Sequence, residues 1–317
     1  MSTSSSQFPE AGSRAAVERV LADWLASTET TTSVEGISDL SGAGAEYLAE
    51  RWPEIPVEAR RSLVRAMTAD AEEQIEHNFN RALLIAIRDQ DAQIRLEALE
   101  GLAELESQAF LETLLSVIDR EPDARVRTAE AMALGRFALQ CELETLEPEL
   151  ANRVRTTLLH LIESDESSDV RRRALEAAGY FAEDADVIRE IEVAYESGNH
   201  ALRVSALHAM GRQADTRWLE IVHEELTNDD PELRYEAVVA TGSIGDERSV
   251  VELIDRLRDE DVEVQLAAIA SLGEIGGRLA ISALRRLTED DSPAIVDAAE
   301  AALEEAQLTS DPLRPLM

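Results

Sequence analysis

The side chains best suited to catalysis or metal binding in this sequence are its histidines. Histidine titrates near neutral pH and is the commonest metal ligand in proteins. The chain contains five of them: His77, His160, His200, His208 and His223. No Gly-rich phosphate loop, Ser–His–Asp pattern or nucleophile elbow accompanies them. The sequence therefore offers titratable groups without a recognisable catalytic arrangement.

A second reactive candidate is Cys141, the only cysteine in the chain. A lone cysteine excludes an internal disulfide and any multi-cysteine zinc or iron–sulfur site. Its neighbours Glu142 and Glu144 are acidic, and nearby negative charge disfavours the thiolate form. We therefore expect that Cys141 is not a nucleophile.

The charged residues are strongly unbalanced. There are 65 Asp and Glu against 30 basic residues, all of them arginine, and the formal net charge is −35. A chain without lysine has no Schiff-base amine and no phosphate-binding lysine of the P-loop type. Nucleic acids and anionic membrane surfaces both require a cationic partner surface. We therefore expect neither nucleic acid nor membrane as a partner, whether the acidity reflects a GC-rich genome or adaptation to salt.

The apolar residues indicate a water-soluble helical protein. No window of about 18 apolar residues is present, and residues 1–7 lack the basic start and apolar core of a secretory signal. We expect a cytoplasmic protein. Only 4% of the residues are aromatic, so the core must consist of Ala, Leu, Ile and Val.

The arginines belong to an internal repeat. The repeated phrase is an aliphatic anchor, then Arg, then Ala three to four residues later, and then a small residue, an aliphatic residue and Gly. The anchors are Ile94, Val126, Val170, Leu202 and Leu233, with looser copies at Val264 and Ile295. Successive anchors are 32, 44, 32, 31, 31 and 31 residues apart. The ninth residue after the anchor is glycine in five consecutive units: Gly135, Gly179, Gly211, Gly242 and Gly273.

Each unit contains a second amphipathic segment before the repeated phrase. Residues 110–118, 218–226 and 250–257 are examples with helical periodicity. Asp230-Pro231 and Ser292-Pro293 place a capping side chain before a first-turn proline. Each unit therefore reads as helix A, a short acidic turn, helix B and a glycine-bearing turn. One such hairpin cannot bury its apolar stripe alone, so the units must stack into an all-α solenoid. The ankyrin and tetratricopeptide signatures are absent.

The phrase Asp-Pro-Glu-Leu-Arg-Tyr-Glu-Ala-Val-Val-Ala-Thr-Gly at 230–242 resembles a short HEAT-type repeat of the kind found in phycobilin-lyase-like proteins. Residues 37–90 resemble the leading part of bacterial HEAT-repeat proteins of unassigned role. The resemblance implies a right-handed α-solenoid of stacked helical hairpins. It also implies that the repeated arginines pair with an acidic turn residue of an adjacent unit. These arginines are Arg95, Arg127, Arg171, Arg203 and Arg234.

We predict four regions along the chain. Residues 1–12 form a disordered N-terminus, and 13–44 form an amphipathic helix with a Ser/Thr/Gly-rich connector. Residues 45–305 form a solenoid of about eight units, and 306–317 form a loose tail. The first helix either docks on the solenoid or swings free. The 44-residue step places an insertion near 136–150, which either projects towards a partner or lengthens helix B and its turn.

The resemblance also raises enzymes built from HEAT-like repeats. Deoxyhypusine hydroxylases require repeated His-Glu pairs on inner helices, and here only His223-Glu224 has that form, on an outer helix A. The matching inner positions hold Arg173-Ala174, Glu236-Ala237 and Ala267-Ala268. HEAT-like DNA glycosylases require a cationic face, which an acidic chain lacks. We therefore predict a non-enzymatic scaffold without cofactor or metal, with a phycobilin-lyase-like or other groove enzyme as the alternative.

The binding face is predicted from helical phase. Positions 0, 4, 7, 8 and 11 after the anchor share one side of helix B, and positions 2 and 6 lie opposite. In HEAT-type solenoids the B helices line the concave side, so these opposite positions point into the groove. Their middle is largely apolar, which on an acidic protein indicates a binding groove with an acidic rim. Alternatively, tight curvature buries these side chains. The predicted partner is a protein or peptide, helical or extended, with basic flanks. The predicted contact residues are Arg172, Val204, His208, Tyr235, Val239 and Leu266.

Overall fold

The computed structural model describes residues 10–26 and 33–310, which contain seventeen α-helices and no strand. The chain divides into two compact units, Met1–Leu134 and Gly135–Met317. None of the helices in the described residues is long and apolar enough to cross a membrane.

The helices of the first unit, unit 1, are α1 (Arg14–Ala26), α2 (Gly42–Arg51), α3 (Val57–Glu73), α4 (Asn80–Ala86), α5 (Ala92–Gly101), α6 (Gln108–Val117) and α7 (Ala124–Glu142) up to Leu134. The second unit, unit 2, has the remainder of α7, then α8 (Pro148–Ser164), α9 (Ser168–Ala178), α10 (Ala185–Glu196), α11 (His200–Gln213), α12 (Leu219–Glu225), α13 (Pro231–Ile244), α14 (Val250–Arg256), α15 (Val262–Ile275), α16 (Gly277–Leu287) and α17 (Pro293–Ser310).

Unit 2 is a stack of helical hairpins. Its B helices are α9, α11, α13, α15 and α17, and each packs against the next. Each A helix, from α8 to α16, packs against the B helix that follows it. The expected helix starts are present, since Asp230 caps α13 and the side chain of Asn199 caps α11. The predicted all-α solenoid of stacked hairpins is confirmed within this unit.

The repeated glycines hold neighbouring B helices close together. A Cβ atom on Gly211 would lie 2.9 Å from the Cα of Ala240, and one on Gly242 would lie 2.9 Å from the Cα of Ser271. Four of the five repeat glycines lie within helices α7, α11, α13 and α15, so the prediction of a glycine-bearing turn was wrong at these positions, whereas Gly179 directly follows α9 as its C-cap. They are needed for close helix approach, whereas the turn after α13 has its own Gly245 at φ +72°.

The N-terminal helix docks on unit 1. Ala16, Val17, Val20 and Leu21 of α1 are buried. The indole Nε1 of Trp24 lies 3.2 Å from the Ala59 oxygen and 3.1 Å from Ser62 Oγ, both on α3. Of the two alternatives for this helix, docking is therefore the one observed.

The predicted disordered segment 1–12 is too long at its C-terminal end. Gly12 is buried and donates its backbone N–H to the Gly36 oxygen at 3.1 Å. Its own oxygen accepts from the backbone and the side chain of Ser41, each at 3.0 Å. These hydrogen bonds fix Gly12 against the start of α2. Residues 1–9, and residues 27–32 of the predicted connector, lie outside the described residues.

The extra residues near 136–150 lengthen helices. Helix α7 has 19 residues and α8 has 17, whereas the B helix α11 has 14 and the A helix α10 has 12. The longer helix B of the second alternative is therefore observed, but the longer turn is not. The turn 143–147 is no longer than the turn 179–184 between α9 and α10, and the remaining extra residues lengthen helix A, α8. The predicted loose tail also begins later than residue 306, because α17 continues to Ser310 and Ala306 is buried. Residues 311–317 lie outside the described residues.

Candidate functional site

The repeated arginines tie consecutive units together from inside the stack. Nε and Nη2 of Arg95 both lie 2.6 Å from the carboxylate oxygens of Glu121, in the next turn. Arg234 makes the same paired contact with Asp259 at 3.0 and 2.7 Å. Burial disfavours the Asp259 carboxylate, but the hydrogen bonds from Arg234 and from the Asp261 backbone, together with the positive charges of Arg234 and Arg256, hold the pKa of Asp259 below its usual value. The predicted arginine–acid pairing is confirmed at these two positions.

In other repeats the arginine has a different hydrogen-bond or ion-pair partner. Arg203 pairs with Glu225 at the end of α12, because the turn position is Asn228, whose amide donates to Glu225 at 2.7 Å. Arg171 donates to the Ile162 oxygen at 2.9 Å. For Arg171 the predicted pairing with an acidic turn residue was therefore wrong, since the matching position of the next unit holds Ser197.

The exposed side of the B helices carries the candidate binding site, which we call the B face. It comprises the residues two, six and ten positions after the anchor on the B helices of unit 2. The first part, the networked half, lies on α9, on the turn that follows it and on α11: Arg172, Glu176, Tyr180, Val204, His208 and Arg212. The second part, the open half, lies on α13, α15 and α17: Tyr235, Val239, Ser243, Leu266, Ala270, Glu274, Asp297, Ala301 and Glu305.

Polar contacts between neighbouring helices occupy the networked half. The Glu176 carboxylate accepts from Ser205 Oγ and from Arg173 Nη1, each at 2.6 Å. Arg172 Nε donates to Ser205 Oγ at 3.3 Å. Arg212 donates to the Glu176 backbone oxygen at 2.7 Å. The carboxylate and guanidinium groups named here therefore already have partners within the protein, and Arg212 also lies 4.7 Å from the centre of the Tyr180 ring. The Tyr180 hydroxyl has no hydrogen-bond partner among the described residues.

Two predicted contact residues lie differently from the rest of the networked half. His208 Nδ1 lies 3.3 Å from Glu236 Oε2 and so links α11 to α13. Val204 is 4% exposed, so the expectation that it faces solvent was wrong. Valine is shorter than the tyrosine at the same position of the next repeat, Tyr235, which is exposed beside similar glycine contacts.

The open half is apolar and accessible. Tyr235 is 38% exposed, and its hydroxyl has no hydrogen-bond partner among the described residues. Val239 and Leu266 are partly buried and pack on the hydrophobic core below them. Ala270 and Ala301 are exposed. This half therefore presents an accessible aromatic ring and a group of partly exposed aliphatic side chains.

Carboxylates border the open half. Glu274 and Asp297 are exposed, and Glu305 lies one turn beyond Ala301. Partial burial of the Glu274 carboxyl group raises its pKa, and repulsion by Glu305 adds to this. No basic residue occupies a B-face position on these three helices. The surface is therefore suited to a ligand that brings apolar groups and positive charge.

The reactive candidates from the sequence lie apart from the B face, except His208. Among the other histidines, His223 Nε2 lies 2.8 Å from Ser249 Oγ, and His77 pairs with Asp70. Burial raises the pKa of the Cys141 thiol to about 11, so the thiol is protonated at neutral pH. The cause of the raised pKa is burial rather than the neighbouring Glu142 and Glu144 that we expected. Within residues 10–26 and 33–310, no group of three or more His, Cys, Asp or Glu side chains is placed to hold a metal ion.

Sequence reasoning missed part of the site. Positions two and six alone omit Arg212, Ser243 and Glu274, which lie one helical turn further along the same side. Extending the phase argument by that turn finds them. Ser205, one residue beyond position two, gave no signal because its contact with Glu176 depends on how closely α9 and α11 approach.

The family follows from a model of HEAT repeats that matches residues 80–156 and 219–304, just over half of the chain. The chain belongs to the HEAT-repeat family. Among solved structures it is similar to importin beta, with a TM-score of 0.54 and 15% sequence identity. That match covers 92% of this chain and 44% of importin beta, so the chain spans less than half of the importin beta chain.

Two further solved structures show weaker similarity. The Escherichia coli protein YibA matches with a TM-score of 0.45 and 14% identity, over 76% of this chain and 95% of YibA. Human deoxyhypusine hydroxylase in complex with glycerol matches with a TM-score of 0.37 and 18% identity, over 83% of this chain and 96% of the hydroxylase. No curated protein matches the chain. These likenesses concern the fold alone.

Proposed function

We propose that this HEAT-repeat protein is a non-enzymatic scaffold that binds a protein or peptide partner along the B face. The observation that carries the proposal is Tyr235: an accessible aromatic ring with an unused hydroxyl, at the start of the open half. Tyrosine is enriched at binding hot spots because it offers apolar area together with a polar group. Val239 and Leu266 provide the adjoining apolar contact.

The chemistry of the partner follows from the border of the open half. Carboxylates at Glu274, Asp297 and Glu305 favour positively charged side chains, and the net charge of −35 attracts them over a longer range. We therefore propose a helical or extended segment with apolar residues in its centre and Arg or Lys at its flanks. Neither nucleic acid nor membrane fits this charge.

The remaining parts of the proposal concern activity and location. We propose that the protein acts without a cofactor, is not an enzyme and works in the cytoplasm. The alternative, a phycobilin-lyase-like or other enzyme using the groove, is supported only by the type of repeat. The partner-binding residues of the proposal are Arg172, His208, Tyr235, Val239 and Leu266; Val204 is left out because it is buried.

A selection of random peptides displayed on phage, with the full chain immobilised, tests the proposal. The selected peptides should contain apolar centres and basic flanks, and their binding should weaken as the salt concentration rises. Tyr235→Asp should weaken their binding at least tenfold, because the change removes the ring and adds like charge to the rim. Val251→Asp is the matched control, since Val251 is 57% exposed on the A helix α14.

The outcomes separate the open half from a general surface effect. Loss of binding in the Tyr235 variant and retention in the Val251 variant support the proposal. Equal loss in both variants, or selected peptides without basic residues, contradicts it.

A further inference from the structure

One buried side chain in unit 1 departs from the pattern of the repeat. The fourth residue after the anchor is alanine in six of the seven phrases, and each of these alanines is fully buried: Ala98, Ala174, Ala206, Ala237, Ala268 and Ala299. In α7 the same position holds Glu130, which is 1% exposed. A carboxyl group therefore occupies a core position that elsewhere holds a methyl group.

The Glu130 carboxyl is incompletely hydrogen bonded. Its Oε2 atom is buried and has no hydrogen-bond partner among the described residues. The nearby Arg95 directs Nε and Nη2 to Glu121 instead. Nη1 of Arg127, on the same helix as Glu130, donates to the Glu121 backbone oxygen at 2.9 Å. A buried carboxylate without such partners is strongly disfavoured relative to the neutral acid.

The surroundings of Glu130 add to this effect. The charged groups that act on it are Glu121 and Asp119 before α7, Arg95 of α5, and Arg127 of α7 itself. The buried side chains of α6 are uncharged: Phe110, Leu111, Thr113, Leu114 and Leu115. Burial, followed by repulsion from Glu121, raises the pKa of Glu130 to about 8. The side chain is therefore mostly protonated at neutral pH.

We propose that Glu130 is a proton-operated switch in unit 1: the unit is tightly packed when this carboxyl is neutral, and loss of the proton loosens α7 and the Arg95–Glu121 ion pair beside it. The ionised carboxylate competes with Glu121 for Arg95 and draws water towards the core. The consequence is a unit whose opening increases as the pH rises through the neutral range and no longer increases once the carboxyl is ionised.

The sign of the pH dependence follows from proton linkage. The pKa of Glu130 in the folded chain exceeds the ordinary value of 4.5, so the folded state binds more protons than the unfolded state. The unfolding equilibrium constant should therefore rise with pH, by up to about tenfold per pH unit below pH 8, and level off above it.

Urea unfolding of the full chain from pH 6 to pH 9 tests the switch. Glu130→Gln and Glu130→Ala should each remove this part of the pH dependence, because both variants lack the titrating carboxyl group. The alanine is also the residue found at this position in the other repeats. Glu112→Gln, at an exposed position of α6, is the matched control and should keep the wild-type dependence. Identical pH dependence in the wild type and both Glu130 variants overturns the proposal.

A direct titration covers the case in which a variant does not fold. The carboxyl carbon signal of Glu130 in the ¹³C-glutamate-labelled wild type is identified by its loss in whichever variant folds, or by sequential assignment. A midpoint between about pH 7 and 9 supports the switch, and a midpoint below pH 6 contradicts it. Amide exchange, corrected for the intrinsic effect of pH, should increase in α5–α7 but not in α13–α15.

Discussion

Helices α11 and α13 carry the same repeat phrase and approach their neighbours through the same kind of glycine contact. Their B-face side chains nevertheless make different contacts. On α11 and its neighbour α9, the polar groups bind one another, as in the contact of Glu176 with Ser205. On α13 and α15, Tyr235 and Leu266 leave their surfaces available. Packing in this repeat is set by the anchor, the arginine and the glycine. The B-face positions are therefore free to differ between neighbouring units.

The largest loss of stability that we predict comes from removing a repeated arginine, a contact present in both halves of unit 2. Arg234 and Asp259 are both almost fully buried, with side chains 5% and 3% exposed. Arg234→Met should cost about 3–5 kcal/mol, because it leaves the Asp259 carboxylate without its main partner. Urea unfolding at neutral pH measures the loss.

Arg203→Met tests the corresponding arginine of α11, the helix that carries part of the networked half. Arg203 is 37% exposed, and its partner Glu225 keeps hydrogen bonds from the Tyr195 hydroxyl at 2.5 Å and from Asn228 at 2.7 Å. The loss of stability should therefore be smaller than for Arg234→Met. An equal or larger loss would show that the two arginines are not distinguished by burial as we argue.

The next effect concerns the glycine contacts. Gly211→Ala and Gly242→Ala should each destabilise the fold by roughly 1–3 kcal/mol, because the new methyl group meets the neighbouring helix. Gly198→Ala is the control, since nothing lies within 4 Å of the position of its Cβ. Thermal unfolding should show similar losses at both sites. A loss at only one site would contradict common packing in the two halves.

A smaller change in stability should distinguish the two halves when one carboxylate in each is neutralised. Glu176→Gln should destabilise by about 1–2 kcal/mol, because it weakens charge-assisted hydrogen bonds in the networked half. Glu274→Gln should be neutral or slightly stabilising, because burial and Glu305 already disfavour the Glu274 carboxylate. Chemical unfolding of the two variants at pH 7 compares them. The same sign in both would contradict the distinction.

The smallest effect on stability should come from Tyr235→Asp. A surface substitution away from packed features usually changes stability by about 0.5 kcal/mol or less, and Tyr235 makes no hydrogen bond among the described residues. Leu266→Asp should cost more, because Leu266 packs on the core. Melting temperatures measure both. A large drop for Tyr235→Asp would mean that the ring is part of the core.

The fold could be predicted from the sequence because its defining residues recur at fixed spacing. The anchors and glycines gave the period, and the need to bury an apolar stripe gave the stack. The place of the glycines was misjudged, because glycine usually ends a helix. Gly242 instead lies within α13, where the small Ser271 of the next helix allows close contact. That complementarity involves residues 29 positions apart and is invisible in one repeat.

The site could be predicted only as a direction. Helical phase placed Val204 and Tyr235 at the same position of successive repeats, but one is buried and the other exposed. Exposure depends on the side chains of both neighbouring helices, which phase alone does not supply. The Glu176–Ser205 contact and the buried Glu130 likewise depend on distances between helices.

The most direct test of the proposed binding face uses the four tyrosines, which lie in four different places. Tyr47 is on α2 of unit 1, Tyr180 is in the networked half, Tyr195 is on the A helix α10, and Tyr235 is in the open half. The chain, labelled at its tyrosine rings, is titrated with the selected peptide and followed by NMR. We predict that the Tyr235 signals move most and that those of Tyr47 and Tyr195 stay in place. Unchanged Tyr235 signals, with movement at Tyr180 or Tyr195, would contradict it.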